Sequence, residues 1–280
     1  MNGIGKEWQP VTFYCLFILL IVVPCNKNPG GELSGSVSAE QFSKDTVFIH
    51  RVLGDVINRS FSSIDQALIN LDSAVEIANA VGYEHIIPEL VFYKGNLKYV
   101  QNNYQEAIGF YQVATKLAEE RNDSLLIARC WERMASIQLE SDEGLALKLY
   151  YQALTVFERE QYNPGIAKVY NILGIYKSSL RQYDTAKILL NKAIELNQKA
   201  GNKYYLIENK GNLAYVLEQE GRFEDAEKIL RELIDQLTQL NDSINLQFIY
   251  FNHSLLAEKM GNLNLSMNSL EKAICIAEPV

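Results

Sequence analysis

Proline is scarce in this sequence, with 6 residues in 280, so long helices can run without the interior breaks that proline imposes. Histidine is scarcer still. His50, His85 and His253 are the only three, and none stands at metal-ligand spacing from another His or a Cys, so no metal site is expected. Basic residues are in deficit, 26 against 34 acidic ones for a formal net charge of −8. No basic stripe is available to replace counterions on a phosphate backbone, which sets nucleic acid aside as a partner. No phosphate-cradling glycine motif and no Gly-x-Ser-x-Gly elbow occurs. Acidic pairs such as Glu119-Glu120 and Glu224-Asp225 read as solvated carboxylates near helix ends. The sequence therefore predicts no catalytic residues, no cofactor and no enzyme. What it does contain is apolar residues, at 48%, and 16 tyrosines, which is enough to build a sizeable core.

The first residues differ from the rest. Val11–Pro24 (VTFYCLFILLIVVP) is an almost unbroken apolar run preceded by Lys6. A bilayer-spanning helix needs about 20 apolar residues, whereas the core of a secretory signal needs about 7–15, so length favours an export signal. Cys25 follows at once, and then a polar stretch rich in Gly, Ser and Asn. This arrangement resembles a bacterial lipoprotein signal, which implies that Cys25 becomes the lipidated first residue of the mature chain. The implied location is the cell envelope, with the chain attached to a membrane in the periplasm or at the outer membrane. The domain reading is a signal at 1–24, a lipid-anchored or flexible tether at 25–44 and a folded region at 45–280, with no further boundary.

The folded region repeats. A small residue, an aromatic or Leu four later and a small residue three beyond that recur as Ala67-Leu71-Ala74, Ala107-Tyr111-Ala114, Ala146-Tyr150-Ala153 and Ala186-Leu190-Ala193. Ala226-Leu230-Leu233 and Ser266-Leu270-Ala273 continue the series, and the interval between first members is constant to within a single position. About twelve residues upstream of each motif sits another small residue, Gly95, Ala135, Gly174, Ala214 or Ser254, with Asp55 in the first unit. Each unit therefore reads as helix, short turn, helix, with the small residues at a close crossing and the large residue in the adjoining hole. Between units, Asn122-Asp123-Ser124, Asn163-Pro164-Gly165, Gly201-Asn202-Lys203 and Asn241-Asp242-Ser243 supply side chains able to accept from the first amides of the next helix. Cys130 and Cys275 would lie layers apart, beyond the roughly 7 Å Cα limit for a disulfide, and each reads as a small core side chain.

These residues, above all Asn171-Ile172-Leu173-Gly174-Ile175-Tyr176 with Tyr183, Ala186 and Ala193, and Asn212-Leu213-Ala214 with Gly221, Phe223 and Ala226, resemble the tetratricopeptide repeat family over residues 45–279. The repeat here is longer than the family's usual period of about 34 residues, and the family's first-helix Trp is missing. The resemblance implies an all-α, right-handed superhelical solenoid of about six repeats, whose first helices line a concave groove. Carried over residue by residue, the groove positions include Phe92, Asn96, Tyr99, Arg129, Glu132, Asn171, Ile175, Glu208, Tyr215 and Glu218. One variant of the family clamps a terminal carboxylate. Arg129 and Arg133 match its last basic positions, but Val52, Val56 and Tyr93 stand where Lys and two Asn are needed, so that clamp is not expected.

The mixed groove surface suits a protein or peptide partner. The expected function is a protein-interaction scaffold tethered in the envelope. The alternative is an extracytoplasmic sensor region of a signalling protein, of the histidine kinase or transcription regulator type, with its effector part missing or separate. The last helix ends Ala273-Ile274-Cys275-Ile276-Ala277, whereas inner units carry Glu195 and Asp235 where Cys275 stands. A terminal repeat needs a polar outer face to stay soluble, so this end is expected to be covered, by self-association into a homo-oligomer through the C-terminal repeat or by a partner. The Cys25 reading predicts that palmitate supplied to a bacterial host labels the full-length protein and that Cys25→Ala abolishes the label. Equal labelling of both, or of neither, excludes it.

Overall fold

The computed structural model describes residues 38–277. The export segment, Cys25, most of the tether and Pro279 lie outside the described residues. Among those described, every regular element is helical. The order is α1 (Ala39–Ile57), α2 (Ile64–Ala80), a 3-10 turn at Glu84–Ile86, α3 (Ile87–Val100), α4 (Tyr104–Glu119), α5 (Ser124–Gln138) and α6 (Glu143–Arg159). It continues with α7 (Asn163–Ser179), α8 (Tyr183–Lys199), α9 (Lys203–Glu220), α10 (Phe223–Gln239), α11 (Ser243–Lys259) and α12 (Leu263–Ala277). The fold is all-α, made of tandem helical hairpins. It divides into two compact units, one ending at Ala153 and one beginning at Leu154, so the boundary falls inside α6. The sequence showed no such division. Helix α1 also starts earlier than residue 45, because Ser38 caps it by accepting from the Gln41 amide.

The two units pack their hairpins by the same rule. In the first, Tyr111 of α4 fills the space left by Gly95 of α3: a Cβ at Gly95 would lie 2.6 Å from the Tyr111 ring. Ala67, Leu71, Ala74, Ala107 and Ala114 are buried around it in one core with Ile49, Leu90, Phe92 and Cys130. In the second, a Cβ at Gly174 of α7 would lie 2.8 Å from Leu190 Cγ and 3.3 Å from the Ala186 carbonyl of α8. Further along, Leu230, Leu233 and Leu237 of α10 share a core with Ile249 and Leu256 of α11. The crossings are close because one side of each contact is nearly bare backbone, and dense packing there leaves no room for an added methyl group.

The junctions share a device that composition alone would not suggest. Every junction between helices except that of α5 and α6 holds a residue with positive φ: Arg59, Gly82, Asn102, Asn122, Gln161, Arg181, Gly201, Gly221, Asn241 and Gly261. The following amide then reaches back five residues, as Asn103 N–H does to the Lys98 carbonyl (2.9 Å) and Arg222 N–H to the Leu217 carbonyl (2.8 Å). That is the Schellman closure, which satisfies carbonyls left open at a helix end. The same following residue often caps the next helix. Asp123 accepts from the Leu126 amide (2.9 Å), Asp242 from Asn245 (3.2 Å) and Asn262 from Leu265 (3.1 Å). Stop and start signals are thus fused into two residues.

Three expectations need correction. Asn163 does not cap α7; Tyr162 holds that position, Asn163 is already helical, and Pro164 sits in the first turn where no amide bond is lost. In the last hairpin Leu270 does not fill a core hole. It is 40% exposed while Ser269 is buried, because the buried His253 ring of α11 bonds through Nδ1 to Ser269 Oγ (2.9 Å) and turns that face of α12 inward. Cys275 is exposed, unlike the buried Cys130. Burial of Cys130 pushes its thiol up to about 12, leaving it protonated and unreactive.

The crossing of α7 and α8 generates a stability prediction. Ala186→Leu forces side-chain volume against backbone and should cost about 1–3 kcal/mol, read as a lower urea midpoint. Glu195→Gln, on the solvated side of α8, should leave the midpoint unchanged. Equal midpoints for both variants would show that the crossing does not constrain α8.

Candidate functional site

The candidate site is the layer of first helices, described within each unit. In the first unit Arg129 of α5 reaches across to α3. Its Nη1 lies 3.4 Å from Glu89 Oε1, its Nη2 donates to the Tyr93 hydroxyl at 3.3 Å, and its guanidinium carbon sits 4.4 Å from the centre of the Phe92 ring. Ion pair and cation–π contact together fix a side chain that is otherwise costly to order. Phe92 lies beneath, 1% exposed. Asn96 is buried too: its Oδ1 accepts from the Tyr111 hydroxyl at 2.9 Å, and its Nδ2 has no hydrogen-bond partner. Glu132 is buried beside Arg133, Oε2 to Nε 3.7 Å, and Ser136 and the Tyr150 hydroxyl extend that polar line at 3.0 Å each. Tyr99 is half-buried, its ring 5.6 Å from that of Tyr104.

In the second unit the first helices are joined sideways by amides. Asn212 Nδ2 donates to Asn171 Oδ1 (2.9 Å), and Asn171 Nδ2 donates to Glu208 Oε1 (3.1 Å). Asn197 Nδ2 of α8 donates to Asn209 Oδ1 of α9 (2.7 Å), tying this layer to the second helices. Burial raises the Glu208 carboxyl to about 7, against the opposing pull of Lys168 and the Asn171 hydrogen bond. Farther along α9, Tyr215 is half-buried, with its phenol shifted upward mainly by burial. Glu218 pairs with Lys259 of α11. Ile175 packs against the Leu190 and Val216 cluster.

The groove reading from sequence is therefore revised. Phe92, Asn96, Glu132 and Asn171 are buried and engaged within the chain, so they shape the layer without presenting a free surface. Arg129 of α5 lies over Phe92, Tyr111 of α4 engages Asn96, Arg133 lies beside Glu132, and Asn212 and Glu208 of α9 engage Asn171. Tyr99, Arg129, Ile175, Glu208, Tyr215 and Glu218 keep partial exposure. Sequence reasoning passed over Asn209, Asn212 and Lys259 as site residues. The spacing gave no signal for Asn212, which stands one place after Gly211, the residue that matches Asn171.

The tetratricopeptide repeat model matches residues 167–199, 207–236 and 249–278, which are the hairpins α7–α8, α9–α10 and α11–α12. Those three hairpins are tetratricopeptide repeats. No curated protein sequence matches the chain. Among solved structures, the chain is similar to BtubC from P. vanneervenii, with a TM-score of 0.63 and 16% identity over 78% of this chain and 92% of that one. Aspartyl phosphate phosphatase F from Bacillus subtilis aligns with a TM-score of 0.65 and 17% identity over 85% of this chain, which spans 61% of the phosphatase. NprR, solved in complex with its cognate peptide NprX, aligns with a TM-score of 0.60 and 14% identity over 86% of this chain and 68% of that one. At these identities the likeness establishes the fold. Among the described residues no group of His, Cys, Asp and Glu could hold a metal ion, and no helix is long and apolar enough to cross a membrane.

Glu208 generates a pH prediction. Its carboxyl holds a proton in the folded chain up to about pH 7, while its ordinary value is 4.5. Between those values the folded state binds more protons than the unfolded one, so this group makes stability fall as pH rises and leaves it low above pH 7. Glu208→Gln keeps the acceptor for Asn171 and removes the ionisation. It should flatten the pH 5–7.5 slope of urea stability and raise stability at pH 8 by on the order of 2 kcal/mol. A parallel downward shift at both ends would mean that Glu208 is stably ionised in the fold.

Proposed function

We propose that this chain is a scaffold that receives a peptide or protein segment on its layer of first helices, held in the cell envelope by its N-terminal segment. The observation that carries the reading is the partly exposed set of Glu208, Tyr215 and Glu218 along α9 beside Ile175 of α7, held in place by the buried Asn171 and Asn212 pair. The partly exposed carboxyls offer acceptors to the amides of a peptide backbone. A nearby tyrosine adds contact area at small entropic cost. NprR, of similar fold, was solved with its cognate peptide bound, which supports this use of the fold. The activity in the phosphatase's name is not carried over to this chain. Envelope tethering rests on the apolar run ending at Cys25, and a membrane-held scaffold would gain local concentration over its partner.

The test is site-specific photo-crosslinking in membranes of a bacterial host expressing the full chain. With p-benzoylphenylalanine in place of Tyr215, a covalent adduct to a different polypeptide is expected. With the same residue in place of Glu232, exposed on α10, it should be absent. Equal adducts at both positions, or none at either, would remove the reading.

A further inference from the structure

The last of the described hairpins exposes two apolar stripes. On α11 they are Ile244, Phe248, Phe251 and Leu255, with Ile244 68% exposed. On α12 they are Leu263, Met267, Leu270 and Ile274, with Leu263 at 65% and Met267 at 62%. Both sets fall at i, i+4, i+7 and i+11, one side of a helix each.

Their place in the repeat shows that the two stripes make one surface. One repeat earlier, the α12 positions correspond to Phe223, Glu227, Leu230 and Ile234 of α10. There Leu230 is buried with Ile249 and Leu256 of α11, and Phe223 and Ile234 pack against the same core. The α11 stripe corresponds in the same way to Tyr204, Glu208, Gly211 and Tyr215 of α9, and a Cβ at Gly211 would lie 3.7 Å from Ile249 of α11. Both stripes thus occupy the face on which the next hairpin stacks. In the inner hairpin that face includes two Glu and a Gly. In the last it is apolar at all eight places.

We propose that this face is a dimer interface, closed by the same face of a second copy of this chain. Area supports it. The eight side chains leave roughly 700 Å² exposed, above the about 300–600 Å² of the largest patch on a typical monomer and close to the about 800 Å² that each partner contributes to a standard stable interface. Charge supports it as well. The stretch Ser243–Ala257 holds no Asp, Glu, Lys or Arg, and its one His is buried against Ser269. A two-fold axis therefore brings like residues together with no like-charge repulsion, and the closed symmetry limits assembly to a pair. Glu258, Glu271 and Lys272 fall outside the stripes, where a polar rim belongs. The His253–Ser269 contact has a role in this arrangement: by drawing Ser269 inward it turns Leu270 outward and completes the α12 stripe. Ile276, near the end of α12, is half-buried.

Two differently tagged copies of the full chain, co-expressed and extracted in mild detergent, should copurify. With p-benzoylphenylalanine in place of Met267, irradiation should give an adduct of twice the chain's mass whose linked peptides lie within 244–274 of the other copy. Phe251→Glu combined with Met267→Glu should reduce copurification at least tenfold while the helical circular dichroism persists. Ile188→Glu, at an exposed apolar position on α8, should leave copurification intact. Absence of copurification would overturn the proposal. So would adducts from position 267 to residues 11–23 of the same chain or to a different protein. None of these outcomes depends on the crosslink at Tyr215, so the scaffold reading and the dimer stand or fall separately.

Discussion

Everything in this chain depends on one contact, the close crossing at which a small residue of a first helix meets a large one of the second. Gly174 against Leu190 and Gly95 against Tyr111 are the two clearest cases. When one helix presents no side chain at the crossing, the partner's Leu or Tyr enters the gap, and the two backbones approach closely enough to bury the flanking alanines completely. Ala186, Ala193, Ala107 and Ala114 are all buried for this reason. An isolated hairpin closed in this way still has an open apolar side, which is why the motif works only in series.

The junctions keep that series in register. A residue in the left-handed region ends one helix, and at several junctions the next residue caps its successor. Only four of the ten left-handed positions are glycine; the others are Asn, Arg and Gln. A left-handed Asn is tolerable because its short polar side chain can bond locally, whereas Arg and Gln pay a modest penalty. The closure must recover this cost through the carbonyls it satisfies, since each would otherwise end a helix unpaired. Fixing two residues per turn also fixes helix direction, and that carries the repeat period from one hairpin to the next.

The first helices show how the same architecture is modulated. Where they meet sideways they use polar pairs, Arg129 with Glu89 in one unit and Asn212 with Asn171 and Glu208 in the other. Burying such groups is tolerable only when they satisfy each other. Glu208 meets that demand partly by holding its proton to about pH 7. A layer built this way is a rigid surface with donors and acceptors at its edge. The last hairpin departs from the pattern and presents Ile, Phe, Leu and Met, so a single repeat supplies two chemically different surfaces according to its place in the series.

The sequence by itself determined the repeat, the pairing of helices and the junctions, because these follow from local spacing: a small residue, four places, a large one, three places, a small one, and a turn with Asn, Asp or Gly. The buried alanines at 67, 107, 146, 186 and 226 lie where that spacing put them. Only the tertiary structure decided which polar residues of the first helices are surface and which are interior. Asn171 and Asn96 look alike as groove positions, yet each is buried by side chains that come from a different helix. The rotation of α12 was equally out of reach. It turns on His253 finding Ser269 sixteen residues later, a choice between Ser269 and Leu270 for the inner face that periodicity leaves open. Burial depends on what a neighbouring helix brings, and period alone says where that helix runs, not which of its side chains arrive.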